Sequence, residues 1–274
     1  MRQVFGYSVN SVSRGWNGRG EKGARMGFTM IELLMVISII MFLSAMVVGL
    51  SSLSSSRMKI ARIQGDLARI TTAIDYYKSK YKVYPPDNQT RTRAGSIFIR
   101  SAATNQLVLE LAGCVITNNS AFVSPHIRTT SGNLSSLSSS QMKMIFGDSA
   151  DGILNASENP VKVRDFIGNF SSKSFGKITN SGVTFDIFKV PAEPPLYNAN
   201  LGLSKAWRLM TGNNPWHYNV SSPTNNPGQY DLWAEFRLGR QDRIQKDEYG
   251  RQYIEYYVIG NWNGMKPEVR RDYF

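Results

Sequence analysis

The stretch GFTMIELLMVISIIMFLSAMVVGL (27–50) decides how the rest of this chain is read. From Leu33 to Leu50 it has no charge, and its only polar side chains are Ser38 and Ser44. Extended back to Phe28, it is interrupted only by Thr29 and Glu32 as well. At about 1.5 Å per residue such a helix matches a hydrocarbon core of about 30 Å. The sequence therefore predicts a transmembrane helix over 28–50. The flank before it, RGEKGARMG (19–27), is basic, which by the positive-inside rule puts the N-terminus in the cytoplasm. A single-pass inner-membrane protein with a periplasmic head is the expectation. A cleaved secretory signal fits less well, because its apolar region runs roughly 7–15 residues and a small-residue cleavage site follows it. An ordinary signal anchor fits the length but gives Glu32 no role. A carboxylate within an apolar helix is costly without a partner, and so marks a functional position.

Working outward, the bulk composition bounds the rest. The chain has 274 residues, 42% apolar and 11% aromatic, enough to bury a core. One cysteine excludes an internal disulfide framework and a Cys-rich zinc site, and two histidines argue against a His-based metal cage. Lys and Arg number 32 against 20 Asp and Glu, a net charge of +12. Residues 1–27 hold five of those cations (Arg2, Arg14, Arg19, Lys22, Arg25) and one acid, Glu21, so the remainder carries 27 − 19 = +8. That charge is spread among acids with no long basic run, which argues against nucleic acid as the partner.

After the serine-rich SSLSSSR (51–57), Ile60, Ile63, Leu67, Ile70, Ile74, Tyr77 and Tyr81 recur at spacings of three and four. This is the apolar stripe of an amphipathic helix, and Arg62, Asp66, Arg69, Asp75, Lys78 and Lys80 fall on its wet face. Pro85-Pro86 stops it near Val83. ATNQLVLELA (103–112), closed by Gly113, reads as a short helix, and LSKAWRLM (203–210) carries a second helical pattern. TNNSAFVSPHIRTTSGNLSSLSSSQ (117–141) reads as a polar surface loop, and VKVRDFIGNF (161–170) and GVTFDIFKVP (182–191) as strands or edges. WHYNV (216–220), QYDLW (229–233) and QYIEYYVI (252–259) read as an antiparallel sheet of about three strands.

Gly27-Phe28-Thr29-Met30-Ile31-Glu32, with the apolar run behind it, resembles the processing site of type IV prepilins and type II secretion pseudopilins. YYKSKYKVYPPD (76–87) is similar to the end of the long helix in the major secretion pseudopilin. NNPWHYNVSSPTNNPGQYDLW (213–233) is loosely similar to a later stretch of the same protein type, with Asn214 where that family has Asp, and no glycine after Trp216. The resemblance implies an α+β, pilin-like fold: a long N-terminal α-helix, membrane-spanning in its first half, packed on a small antiparallel β-sheet head. It divides the chain into a leader (1–27), an assembly helix (28–50), its amphipathic continuation (51–84), and a head (85–274) with an insertion at about 114–212. It implies cleavage by prepilin peptidase between Gly27 and Phe28, N-methylation of Phe28, and subunit assembly through Glu32, which would meet the neighbour's terminal amine. The implied partners are that peptidase, other pseudopilin or pilin subunits, an inner-membrane assembly platform and membrane lipid. The implied role is structural, not enzymatic: a filament for type II protein secretion. A type IV pilus subunit for DNA uptake or adhesion, and a signal-anchored periplasmic enzyme, are the alternatives. The long leader leaves Met1 and Met26 both open as the start.

Major pseudopilins hold calcium in a loop after the Tyr-Asp-Leu strand. Here that loop, EFRLGRQDRIQKDEYGR (235–251), offers Glu235, Asp242 and Asp247 as candidate calcium ligands, with Arg237, Arg240, Arg243 and Lys246 interleaved. GDSADGILNASE (147–158) only echoes an EF-hand loop through Asp151, Asn155 and Glu158. Ser140 with Lys143, and Ser174 with Lys177, have catalytic spacing but no supporting motif. Cys114 lacks a base and reads as a small buried hydrophobe.

Overall fold

The structure is a computed structural model. It describes residues 28–87, 89–91, 97–99, 105–117, 120–147, 150, 152–180, 182–195, 213–238 and 245–273. The chain divides into two units, Met1–Gly49 and Leu50–Phe274. In chain order the elements are α1 (Met30–Tyr81), β1 (Gln89–Arg91), β2 (Ile97–Ile99), α2 (Leu107–Ala112), β3 (Cys114–Ile116), β4 (Phe122–Thr129) and β5 (Leu134–Leu137). There follow α3 (Ser139–Phe146), β6 (Ala156–Ser157), β7 (Phe175–Asn180), β8 (Val183–Phe188), β9 (His217–Asn219), β10 (Asp231–Phe236), β11 (Gln245–Lys246), β12 (Gln252–Gly260) and β13 (Glu268–Tyr273).

The first unit contributes the start of α1. Every side chain described from Phe28 to Met46 is exposed, including Phe28 (83%), Ile31 (73%) and Met41 (69%). In the second unit the remainder of α1 follows its predicted stripe. Ile63, Leu67, Ile70, Ile74 and Tyr77 are buried, and Ile60 and Tyr81 flank them half-buried. Lys82 adopts a left-handed backbone (φ 65°), and its N–H closes on the Lys78 carbonyl at 2.8 Å. The helix stops there, before the two prolines can clash with its last turn.

Two sheets share the second unit, beside the small β1–β2 hairpin. The six-stranded sheet runs β6-β3-β4-β8-β7, with β5 also paired to β4; all its pairs are antiparallel except β3–β6. The five-stranded sheet is antiparallel throughout, in the order β11-β12-β10-β9, with β13 on β12. One core joins the α1 stripe to Leu107, Val108 and Leu111 of α2 and to Tyr218, Leu232, Ala234, Phe236 and Ile259 of the five-stranded sheet. A second core lies on one face of the six-stranded sheet, where Phe122, Ile127, Phe185 and Ile187 meet Met142, Ile145 and Phe146 of α3. Helix α2 belongs to both, since Leu109 faces the second core, so all six of its residues are buried. Gly113 ends it at φ 77°, in a place where a Cβ would lie 2.3 Å from Val163 Cγ1.

Three expectations are corrected here. The fold is not a long helix on one small antiparallel sheet: it is mixed, with sheets of six and five strands and few helices. The reason lies in 114–212, which supplies all six strands of the larger sheet and a core of its own. The serine-rich segment 117–141 is β4, β5 and the start of α3, with Phe122, Ile127 and Leu137 turned inward from polar surroundings. The transmembrane helix is the second correction: among the described residues no helix is long and apolar enough to cross a membrane. The single-pass inner-membrane placement, resting on that helix alone, falls with it as the third correction.

Strands stand where the aromatic runs 216–220, 229–233 and 252–259 put them, and β8 lies within 182–191. Segment 161–170 is not a strand: it begins within a short 3-10 turn, Pro160–Lys162, and packs Phe166 and Ile167 against the first core. The helical pattern at 203–210 lies outside the described residues.

Candidate functional site

Gly27 lies outside the described residues; Phe28 and Glu32 lie within them, at the head of α1. Thr29 and Glu32 form a capping box. The Thr29 hydroxyl oxygen accepts from the Glu32 N–H (3.3 Å), and Glu32 Oε2 accepts from the Thr29 N–H and from its hydroxyl, both at 2.8 Å. Those bonds, the backbone one foremost, hold the Glu32 carboxyl below its ordinary range. The glutamate therefore serves its own helix start, satisfying a donor that the first turn leaves open. The Thr-x-x-Glu spacing at 29–32 carries this signal in the sequence.

A second carboxylate was not singled out by motif. Glu110 of α2 is fully buried, and four donors converge on it: the Tyr77 hydroxyl (2.8 Å), Gln106 Nε2 (3.2 Å) and the backbone N–H groups of Leu154 (3.0 Å) and Asn155 (3.3 Å). Burial pushes this carboxyl upward, against the pull of the four hydrogen bonds. The site ties α1, α2 and the 154–155 turn together. A lone acid in the apolar run LVLELA was its only trace in the sequence.

Two further carboxylates organise the approach to the five-stranded sheet. Asp87, after the two prolines, accepts from the Val220 and Ser221 N–H groups at 2.8 Å and from the Ser221 hydroxyl, while the Tyr218 hydroxyl donates to the Pro85 carbonyl at 2.6 Å. The YPPD turn is thereby pinned to β9. Asp231 gathers the N–H groups of Thr224 (2.7 Å), Asn225 (2.9 Å) and Asn226 (2.9 Å), which fixes the SSPTNNPG loop. Asn214 donates through Nδ2 to the carbonyls of Ala192 (3.1 Å) and Glu235 (2.8 Å). An ionised aspartate there could only accept, so the asparagine is required by its two carbonyl neighbours. His217 stacks on Trp233 with centroids 4.9 Å apart. Trp262 lies 6.2 Å beyond Trp233, over Gly260, and these rings wall a cleft of about 290 Å³ that also meets Asp231, Glu235 and Arg270.

The candidate calcium ligands are dispersed among local contacts. Glu235 Oε1 accepts from Trp233 Nε1 at 3.2 Å. Asp247 caps the turn before β12, accepting from the N–H groups of Tyr249 (3.0 Å) and Arg251 (2.8 Å) and pairing with Arg251 Nε at 2.7 Å. Asp242 lies outside the described residues. Among the described residues no group of three or more His, Cys, Asp or Glu side chains could hold a metal. Asp151 of the EF-hand echo is likewise outside them. Asn155, its most buried member, spends its amide on the Glu110 and Arg164 carbonyls, the Arg164 N–H and the Tyr81 hydroxyl. Ser140 shares a hydrogen bond with Ser138 at the start of α3, and Ser174 lies in a 3-10 turn leading into β7. Cys114 is buried, its thiol pushed up to about 12 by desolvation.

Compared with family models, curated proteins and solved structures, the chain matches none of them.

Proposed function

We propose that this chain is a pseudopilin-type structural subunit, processed by prepilin peptidase between Gly27 and Phe28 and polymerised into a filament for type II protein secretion. The observation that carries the reading is the exposed apolar start of α1. From Phe28 to Met46 every described side chain is exposed, and Leu33, Leu34, Ile39, Ile40, Phe42 and Leu43 are each at least half exposed. So continuous an apolar surface requires a cover, and the same helix of other subunits offers one of matched length and chemistry. Removal of 1–27 would leave the new Phe28 amine one residue from the Thr29–Glu32 capping box. There the Glu32 carboxylate, already ionised by its cap, can also meet a cationic amine across a subunit contact. Three buried carboxylates away from this segment, Glu110, Asp87 and Asp231, are consumed in holding the fold.

The test has two readouts. Mass spectrometry of the isolated protein should find an N-terminal peptide beginning with methylated Phe28. Comparison of the culture medium from cells with and without the gene should show a set of folded exoproteins missing and retained in the cells. An unprocessed N-terminus would overturn the subunit reading altogether. A processed chain with unchanged medium would overturn the secretion role alone.

A further inference from the structure

The six-stranded sheet has a second face. Ile127, Phe185, Ile187 and Ile178 turn into the core with α3, so the intervening residues of β4, β8 and β7 point the other way. There the register sets His126, Asp186 and Lys177 in one row across three strands: Lys177 lies opposite Asp186, and His126 lies one step from the Ile127–Phe185 pair. His126 Nδ1 is 2.8 Å from Asp186 Oδ2, with both side chains largely buried (19% and 16% exposed). Arg128 follows one row along on the same face, its Nη1 donating to the Gly132 carbonyl at 3.1 Å. These residues line a cleft of about 420 Å³ that Phe170 and Phe175 also wall, with Pro125, Gly132 and Ser172 completing it. Phe170 and Phe175 stand with centroids 6.3 Å apart, and Phe175 lies 5.0 Å from the His126 ring.

The charges in the cleft do not cancel. His126 engages the one carboxylate, Asp186, whereas Lys177 makes no ion pair with a described residue and Arg128 spends one donor on a carbonyl. A guanidinium fork and an ammonium therefore line the same cleft as the Phe170–Phe175 pair, with Asp186 on the strand between them. We propose that this cleft binds a small organic anion, an oxyanion head group on an aromatic or flat apolar body. Arg128 and Lys177 take the oxyanion, the Phe170–Phe175 wall takes the body, and the His126–Asp186 pair positions the row. The inference is independent of the filament assignment, since it uses none of the α1 residues that carry that reading.

Phenyl phosphate is the probe, observed by saturation-transfer NMR with the full chain in a nonionic detergent. Transfer to the ring protons is expected, with competition by inorganic phosphate at higher concentration, because phosphate shares the head group but not the body. The double variant Arg128→Ala, Lys177→Gln should weaken binding by about tenfold or more, with near-ultraviolet circular dichroism unchanged. Benzoate competing as well as phenyl phosphate would support the site with a carboxylate head group, and failure of benzoate would support it with a phosphate. Absence of transfer, equal transfer to neutral phenol, or undiminished transfer in the folded double variant would overturn the proposal.

Discussion

Replacing Glu110 by alanine should destabilise the second unit more than any loss of surface charge could. The substitution strands four donors in a site with no solvent access. The Tyr77 hydroxyl and the Gln106 amide are on side chains and can turn elsewhere, but the Leu154 and Asn155 N–H groups are fixed by the backbone. Two buried donors at about 1–3 kcal/mol each give a loss of about 2–6 kcal/mol. That is a large fraction of the about 5–15 kcal/mol that holds an ordinary domain together. At about 2–4 °C per kcal/mol, a central loss of about 4 kcal/mol lowers the melting temperature by about 8–16 °C. Glu110→Gln preserves the shape and one acceptor oxygen, and should cost less than the alanine variant. Its value lies in the pH dependence. Burial raises the folded carboxyl above its unfolded value, so the native state holds the extra proton between the two. The stability tied to this group is then fully present below the unfolded pKa and is lost as pH rises through the folded one. The difference between wild type and Glu110→Gln, measured by urea denaturation followed through tryptophan emission, should therefore shrink as pH rises above the ordinary carboxyl range. A difference that grows with pH would refute the reasoning: it would mean that the four donors outweigh desolvation and hold the carboxyl low.

Gly260→Ala should displace Trp262, since the added Cβ would fall 2.4 Å from its ring atoms. A cost of about 1–3 kcal/mol and a red-shifted tryptophan emission are expected, and an unchanged spectrum would show that the ring does not lie over that backbone. Cys114, buried with its thiol raised to about 12, should resist a thiol reagent at about pH 8 in the folded protein and react fully in denaturant. Prompt reaction in the native state would place the sulfur at the surface.

Much of this molecule was legible as periodicity. The stripe from Ile60 to Tyr81 fixes which face of α1 is buried, because side chains three and four apart share a helix face whatever they pack against. The double proline fixes where the helix stops, and the aromatic runs after Trp216 fix β9, β10 and β12. Apolarity between Leu33 and Leu50 determines a helix whose described side chains are exposed as far as Met46. Other features depend on residues distant in sequence, and only the tertiary structure decides them. The serine-rich segment 117–141 looks like a loop because its three inward residues, Phe122, Ile127 and Leu137, are scattered among polar ones, and only the pairing of β4 with β3, β5 and β8 turns them toward one core. Glu110 becomes a buried hub through Tyr77, thirty-three residues before it, and through Leu154 and Asn155 after it. The His126–Asp186–Lys177 row exists only by strand register, and a slip of one residue would turn each of those side chains to the opposite face. Local pattern determines elements because it acts through neighbours along the chain; sites and sheet partners arise from contacts that sequence spacing does not encode.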